Sequence, residues 1–143
     1  MKIEVYSDGS GTTKNTPGGY GYVVVADGVK QLEGNGHMPF ATNNDAELEA
    51  AIQGLASISL LIAVCPDPVT DVWLVSDSQI ILNWANGRNE FRQEEKIDKY
   101  NLLRNLVLKY NVKTRWVHGH DGDEHNERCD KLANAARLKK EII

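Results

Sequence analysis

Cysteine is scarce. The 143 residues contain two, Cys65 and Cys129, far apart and in no zinc-ligand spacing. A reducing, cytoplasmic setting is therefore the expectation. No uninterrupted apolar run approaches the roughly 18 residues of a membrane span, so no membrane partner is expected. Internal repeats and low-complexity tracts are missing as well. The start, Met1-Lys2-Ile3-Glu4-Val5, alternates polar and apolar residues and reads as a strand rather than a secretion signal. Overall positive charge is lacking too: the net charge of −4 argues against a nucleic-acid partner.

The distribution of charge changes that argument. Residues 86–115 carry eight Lys/Arg and four Asp/Glu, a local +4 that leaves −8 on the remainder. Such asymmetry fits a basic contact surface beside an acidic pocket, and equally a solvated amphipathic helix. With 41% hydrophobic residues, the chain can bury a sizeable core. The length suits one domain over residues 1–143, and a monomer is the expectation.

Alternation over residues 2–7 predicts a first strand, ended by Asp8-Gly9-Ser10. Strands follow at 20–26 and 29–36, joined by the hairpin turn Asp27-Gly28. Thr42, Asn43 and Asn44 offer caps for a helix that runs to about residue 61, before Pro66 and Pro68. Residues 72–75 read as a buried strand, 78–85 and 94–110 as helices, 113–118 as the last strand and 126–140 as a terminal helix. The meander is antiparallel, whereas strands joined through helices run parallel. The expected fold is α/β, a mixed five-stranded sheet flanked by helices.

Sites in such sheets gather at the carboxyl ends of parallel strands. Asp8 stands at the end of the first strand and Asp77 at the end of the fourth. Glu47 is expected in the first turn of the first long helix, and Asp130 one turn into the last. Each acid alone has an ordinary structural role as turn residue, cap, helix-dipole partner or surface charge. Their clustering would be costly: at about 4 Å and an effective dielectric of ~20, each like-charged pair repels by roughly 4 kcal/mol. A cation offsets that cost, and an all-oxygen site with room for water suits Mg²⁺ or Mn²⁺.

Four blocks carry a resemblance. They are Tyr6-Ser7-Asp8-Gly9-Ser10 with Gly18-Gly19-Tyr20-Gly21; Thr42-Asn43-Asn44-Asp45-Ala46-Glu47-Leu48; Ser76-Asp77-Ser78-Gln79; and Gly119-His120 with Asn126-Glu127-Arg128-Cys129-Asp130-Lys131-Leu132-Ala133. In this order, over nearly the whole chain, they resemble the type 1 ribonuclease H family. The resemblance implies that Asp8, Glu47, Asp77 and Asp130 hold two metal ions. The implied reaction is hydrolysis of the RNA strand of an RNA–DNA hybrid, giving 5′-phosphate and 3′-hydroxyl ends. It implies that His120 assists turnover. It also implies that Asn43, Asn44 and Gln79 touch the minor groove, with Asn83 a further candidate and Thr42 on a DNA phosphate.

The chain departs from the family pattern in two places. Lys14-Asn15-Thr16 replaces a Gly/Asn/Pro-rich stretch in the first loop. The region between Asp77 and Trp116 is short: residues 86–95 hold Arg88 and Arg92 but also Glu90, Glu94 and Glu95, so a full basic handle is missing. Arg88 and Arg92, with Lys96 and Lys99, are the expected phosphate contacts, and the grip on the substrate is expected to be weak or to be supplied by a fused or separate partner. Arg137, Lys139 and Lys140 form a second candidate patch. Competing readings are a DNA nuclease of integrase or resolvase type and a hybrid-binding module without catalysis. His118, His120 and His125, with Asp121 and Asp123, suggest zinc, but their spacing fits neither a zincin helix nor a finger.

Overall fold

The computed structural model describes residues 1–88, 96–119 and 122–140. Five strands form one sheet: β1 (Lys2–Ser10), β2 (Gly18–Ala26), β3 (Val29–Met38), β4 (Asp71–Ser76) and β5 (Lys113–Trp116), in the order β3-β2-β1-β4-β5. β1 is the central strand, antiparallel to β2 and parallel to β4. β4 and β5 are parallel. The helices are α1 (Asn43–Ala56), α2 (Ile58–Val64), α3 (Gln79–Ala85), α4 (Ile97–Tyr110) and α5 (Glu124–Leu138).

Strand alternation splits the core into two layers. Ile3, Val5, Val24, Val72 and Leu74 share one cluster with Leu48 and Leu55 of α1, Ile81 of α3 and Leu103 of α4. Tyr6, Val23, Val25 and Val75 share the other with Cys129 and Leu132 of α5. Each fully buried aliphatic side chain contributes roughly 1.5–3 kcal/mol against leaving it in water. The stretch Asn43–Val64 has the length and apolarity of a membrane span, with a mean hydropathy of 1.5, but 56% of it is buried inside the protein. Its apolarity serves the core.

Several boundaries differ from the sequence reading. β1 does not stop at residue 7, because Asp8, Gly9 and Ser10 pair with Gly21, Tyr20 and Gly19 of β2. β3 likewise runs on to Met38, paired with Gly18. The expected single helix to residue 61 is interrupted at Ser57, whose hydroxyl donates to the Gly54 carbonyl at 2.7 Å. A hydroxyl bonded back to its own helix competes with the backbone ladder. β5 ends at Trp116, two residues early. α5 starts two residues early, because Asp123 Oδ1 accepts from the amides of His125 and Asn126. The expected start of α4 at 94 lies outside the described residues. The Asp27-Gly28 turn is as expected, with φ of 48° and 81°.

α1 begins with a reciprocal cap: Thr42 Oγ1 accepts from the Asp45 amide and Asp45 Oδ2 accepts from the Thr42 amide. Two ion pairs, Lys96–Asp45 at 2.6 Å and Lys99–Glu49 at 2.9 Å, tie α4 to α1. At the other side, α1 lies on β1 through Gly9. A Cβ there would sit 2.3 Å from the Glu47 backbone nitrogen and 2.4 Å from the Ala46 carbonyl carbon. Gly9→Ala must therefore push α1 off the central strand. Overpacking of this kind costs about 1–3 kcal/mol, and the urea midpoint should fall accordingly. An unchanged midpoint would show that the two backbones are not in contact.

Candidate active site

Asp8 is the eighth residue of the chain and still within β1, so its direction is fixed by the pleat. It is 7% exposed. Asp77 follows β4, where the chain bends away from the sheet and the Ser78 amide donates to Ser76 Oγ at 3.0 Å. Glu47 is the fifth residue of α1, just past the first turn in which the sequence reading placed it, and is 8% exposed. Its backbone is the part of α1 that meets Gly9. One oxygen from each of Asp8, Glu47 and Asp77 lies within 4.8 Å of the other two.

Asp130, on α5, is not in that set. It is close enough for its charge to act on Asp8, and its Oδ1 accepts from Asn134 Nδ2 at 3.2 Å. His120 and Arg92 lie outside the described residues, as do Glu90, Glu94, Glu95 and Asp121. Among the described residues, Asp8, Glu47 and Asp77 are the one group placed to hold a metal ion.

The cost of gathering the acids is visible in their titration. Burial, then the charges of Asp77 and Asp130, push the Asp8 carboxyl up to about 8, against a single opposing hydrogen bond from the Gly9 amide. Burial also raises the Glu47 carboxyl. Hydrogen bonds from Ser78 and Asn43 pull it back and Asp77 pushes it up again. Three buried or half-buried carboxylates that converge in this way are an oxygen donor set of the kind that hard divalent ions take. The arrangement fits such an ion on its own chemistry.

Several of the expected substrate residues lie on α1, which carries Glu47, and on α3, which follows Asp77. Asn43 Nδ2 donates to Glu47 Oε1 at 3.0 Å, and Thr42 caps the same helix. Asn44 follows in the first turn of α1. Gln79 and Asn83 of α3 and the exposed Arg88 line a groove of about 320 Å³ together with Asn86, Thr114 and Trp116. Trp116 was not singled out in the sequence. Its indole Nε1 donates to the Asp77 carbonyl at 3.0 Å. Gly119 also lies against Asp77, where a Cβ would be 2.9 Å from Oδ2. These two residues set the backbone and side chain of Asp77. The signal available was an aromatic N–H donor at the end of the strand next to the one bearing the acid.

A mixed sheet with carboxylates meeting at the carboxyl ends of β1 and β4 defines a divalent-metal-dependent hydrolase of ribonuclease H-like fold. The sequence model of the RNase H family matches residues 1–137. A ribonuclease H of Sulfurovum sp. is 36% identical over 96% of this chain and 93% of its own length. One from Aeromonas salmonicida is 37% identical over 98% and 92%. Among solved structures, RNase H1 from the halophilic archaeon Halobacterium salinarum superposes with a TM-score of 0.80 at 27% identity, covering 97% of this chain and 99% of that one. The chain belongs to the RNase H family.

The sign of the pH effect on the metal-free protein follows from Asp8. Its carboxyl titrates at about 8 folded, against 3.8 in an unstructured chain. Below about pH 4 both states hold the proton and the site costs nothing through this group. Between pH 4 and 8 the unfolded chain releases the proton and the folded one keeps it, so stability falls as pH rises. Above about pH 8 the full penalty is present, on the order of a few kcal/mol. In chelator, Asp8→Asn should therefore melt higher than wild type at pH 8 and nearly alike at pH 4. Saturating Mg²⁺ should narrow or invert the gap. A variant that melts lower than wild type at pH 8 without metal would show that these acids do not repel.

Proposed function

We propose that this protein cuts the RNA strand of RNA–DNA hybrids internally, leaving 5′-phosphate and 3′-hydroxyl ends. Asp8, Glu47, Asp77 and Asp130 hold two Mg²⁺ or Mn²⁺ ions in this reading. The observation that carries it is the convergence of Glu47 of α1 on Asp8 of β1 and on Asp77 just after β4, in a chain of the RNase H family. Bound divalent ions supply an activated water at neutral pH and stabilise charge on the leaving oxygen.

The chain's own residues do the rest. Rigid placement of Asp8 in the central strand and of Glu47 against Gly9 means that little reorganisation is needed at the reacting phosphate. Asn43, Asn44 and Gln79 present amides that both donate to and accept from a 2′-hydroxyl, the group that marks the RNA strand. Thr42 Oγ1 accepts from Asp45 and keeps its own proton to donate to a DNA-strand phosphate. Asn83 and Arg88 extend the contact along the groove beside Trp116. His120 moves a proton during product departure. Lys96 and Lys99 are engaged with α1 acids, so among the cations named from sequence the phosphate grip falls mainly to Arg88 and Arg92. The protein works as a monomer and as one catalytic domain, with a partner or fused module adding grip.

Cleavage of a labelled hybrid in Mg²⁺ and in Mn²⁺, against single-stranded RNA and duplex DNA, tests this reading. Asp8→Asn, Glu47→Gln and Asp77→Asn should each lose several kcal/mol of transition-state stabilisation, on the order of 10³-fold in rate. Near-normal cleavage by the Asp8 and Asp77 variants would remove the metal centre from the reaction. Cutting of duplex DNA in preference to the hybrid would assign the chain to the DNA-directed members of the fold. His120→Ala should slow turnover by only about 10²-fold, the low end of what a single proton-transfer group contributes. A loss as large as that of Asp8→Asn would make His120 a ligand or a structural necessity.

A further inference from the structure

Asp130 stands apart from the three gathered acids, yet it is not left to its own rotamers. Asn134, one helical turn on, donates through Nδ2 to Asp130 Oδ1 at 3.2 Å. Asn134 Oδ1 accepts from Ser10 Oγ at 2.7 Å. Ser10 Oγ in turn accepts from Arg137 Nε at 2.8 Å. The direction of this chain is forced from the Asp130 end. A carboxylate can only accept, so Asn134 turns its nitrogen toward Asp130 and its oxygen toward Ser10. Ser10 then spends its own proton on Asn134 and accepts from the Arg137 guanidinium.

The relay exists because two periodicities agree. Ser10 and Asp8 lie two residues apart on β1, about 6.7 Å and on one face. Asn134 and Asp130 lie four residues apart on α5, about 6 Å and on one face. Gly19 and Gly21 of β2 pair with Ser10 and Asp8. A Cβ at Gly19 would be 2.3 Å from the Ala133 carbonyl oxygen, and one at Gly21 would be 2.6 Å from that of Cys129. The helix backbone therefore rests on the sheet beside the two β1 residues, with Asn134 level with Ser10 and Asp130 level with Asp8.

We propose that Arg137, Ser10 and Asn134 form a positioning relay that locks Asp130 to the strand carrying Asp8 and so sets the geometry of the fourth metal ligand. The inference rests on Asp130 belonging to the metal centre. None of the three residues touches the substrate or the ion in this scheme. Arg137, expected from sequence to serve as a surface cation, is committed to Ser10.

The test is calorimetric titration of the metal-free full-length chain with Mn²⁺, paired with hybrid cleavage at varied metal and varied hybrid. The variants are Asn134→Ala and Ser10→Ala, each alone and combined with Asp130→Asn. Loss of a residue that orients a metal ligand typically costs 10–100-fold in metal affinity. Asn134→Ala should weaken Mn²⁺ binding about tenfold, and Ser10→Ala in the same direction, while the Michaelis constant for hybrid at saturating metal stays put. In the Asp130→Asn background neither should add to the loss, since interactions that act through one group are not additive. Additive losses, or unchanged Mn²⁺ binding by Asn134→Ala when Asp130→Asn does weaken it, would overturn the relay alone. Unchanged binding by Asp130→Asn would overturn the ligand role of Asp130 and the relay with it. Thermal melts in chelator identify a general loss of structure, which would lower all variants regardless of background.

Discussion

Mutual repulsion among Asp8, Glu47 and Asp77 is the constraint around which the rest of the molecule is built. Carboxylates this close drive each other apart, and burial adds to the cost by removing water. Something rigid must hold them. Asp8 is held by the central strand of the sheet, paired with Gly21 of β2 and two residues past the last β1 residue that pairs with β4. Glu47 is held by α1, which contributes Leu48, Ile52 and Leu55 to the larger core cluster. Asp77 is the most exposed of the three and is braced from the neighbouring strand by the Trp116 indole. The apolar core thus supplies the free energy that keeps the acids together, and a bound cation supplies what makes the gathering useful.

Glycine placement sets how closely the layers approach. Gly9 lets α1 touch β1 from one face, and Gly19 with Gly21 lets α5 touch β2 from the other. Helix backbones then lie against the sheet at the end where the acids are, with no side chain between. At most positions in a sheet a missing side chain only weakens packing. Here the absence brings Glu47 and Asp130 within reach of Asp8, so backbone contact is converted into site geometry.

Helix α5 joins stability and site in one element. Its buried stripe, Cys129, Leu132, Ala133 and Ala136, packs on the sheet. The adjoining stripe, Asp130, Asn134 and Arg137, is polar and tied to Ser10. A neighbouring polar link, Arg128 to Glu33 at 2.9 Å, fastens the same helix to β3. The helix cannot slide along the sheet without breaking both.

Much of this was legible in the residues alone. Alternation and turn chemistry determined the strands, the hairpin at Asp27-Gly28 and the mixed topology, because local patterns of burial and backbone freedom are written in adjacent residues. The positions of Asp8, Glu47 and Asp77 at element ends pointed to a metal centre before any distance was known. Boundaries were less legible. The extension of β1 through Ser10 depends on pairing with Gly19–Gly21, and the break at Ser57 depends on which carbonyl its hydroxyl reaches. Trp116, Gly119, Asn134 and Ser10 carry no local signature of their roles. Each acts through a partner 39, 42 or 124 residues away. The sequence by itself determined which chemical groups the protein has and which elements carry them. Only the tertiary structure decided which groups meet, because contacts over such separations are set by how whole helices pack on the sheet.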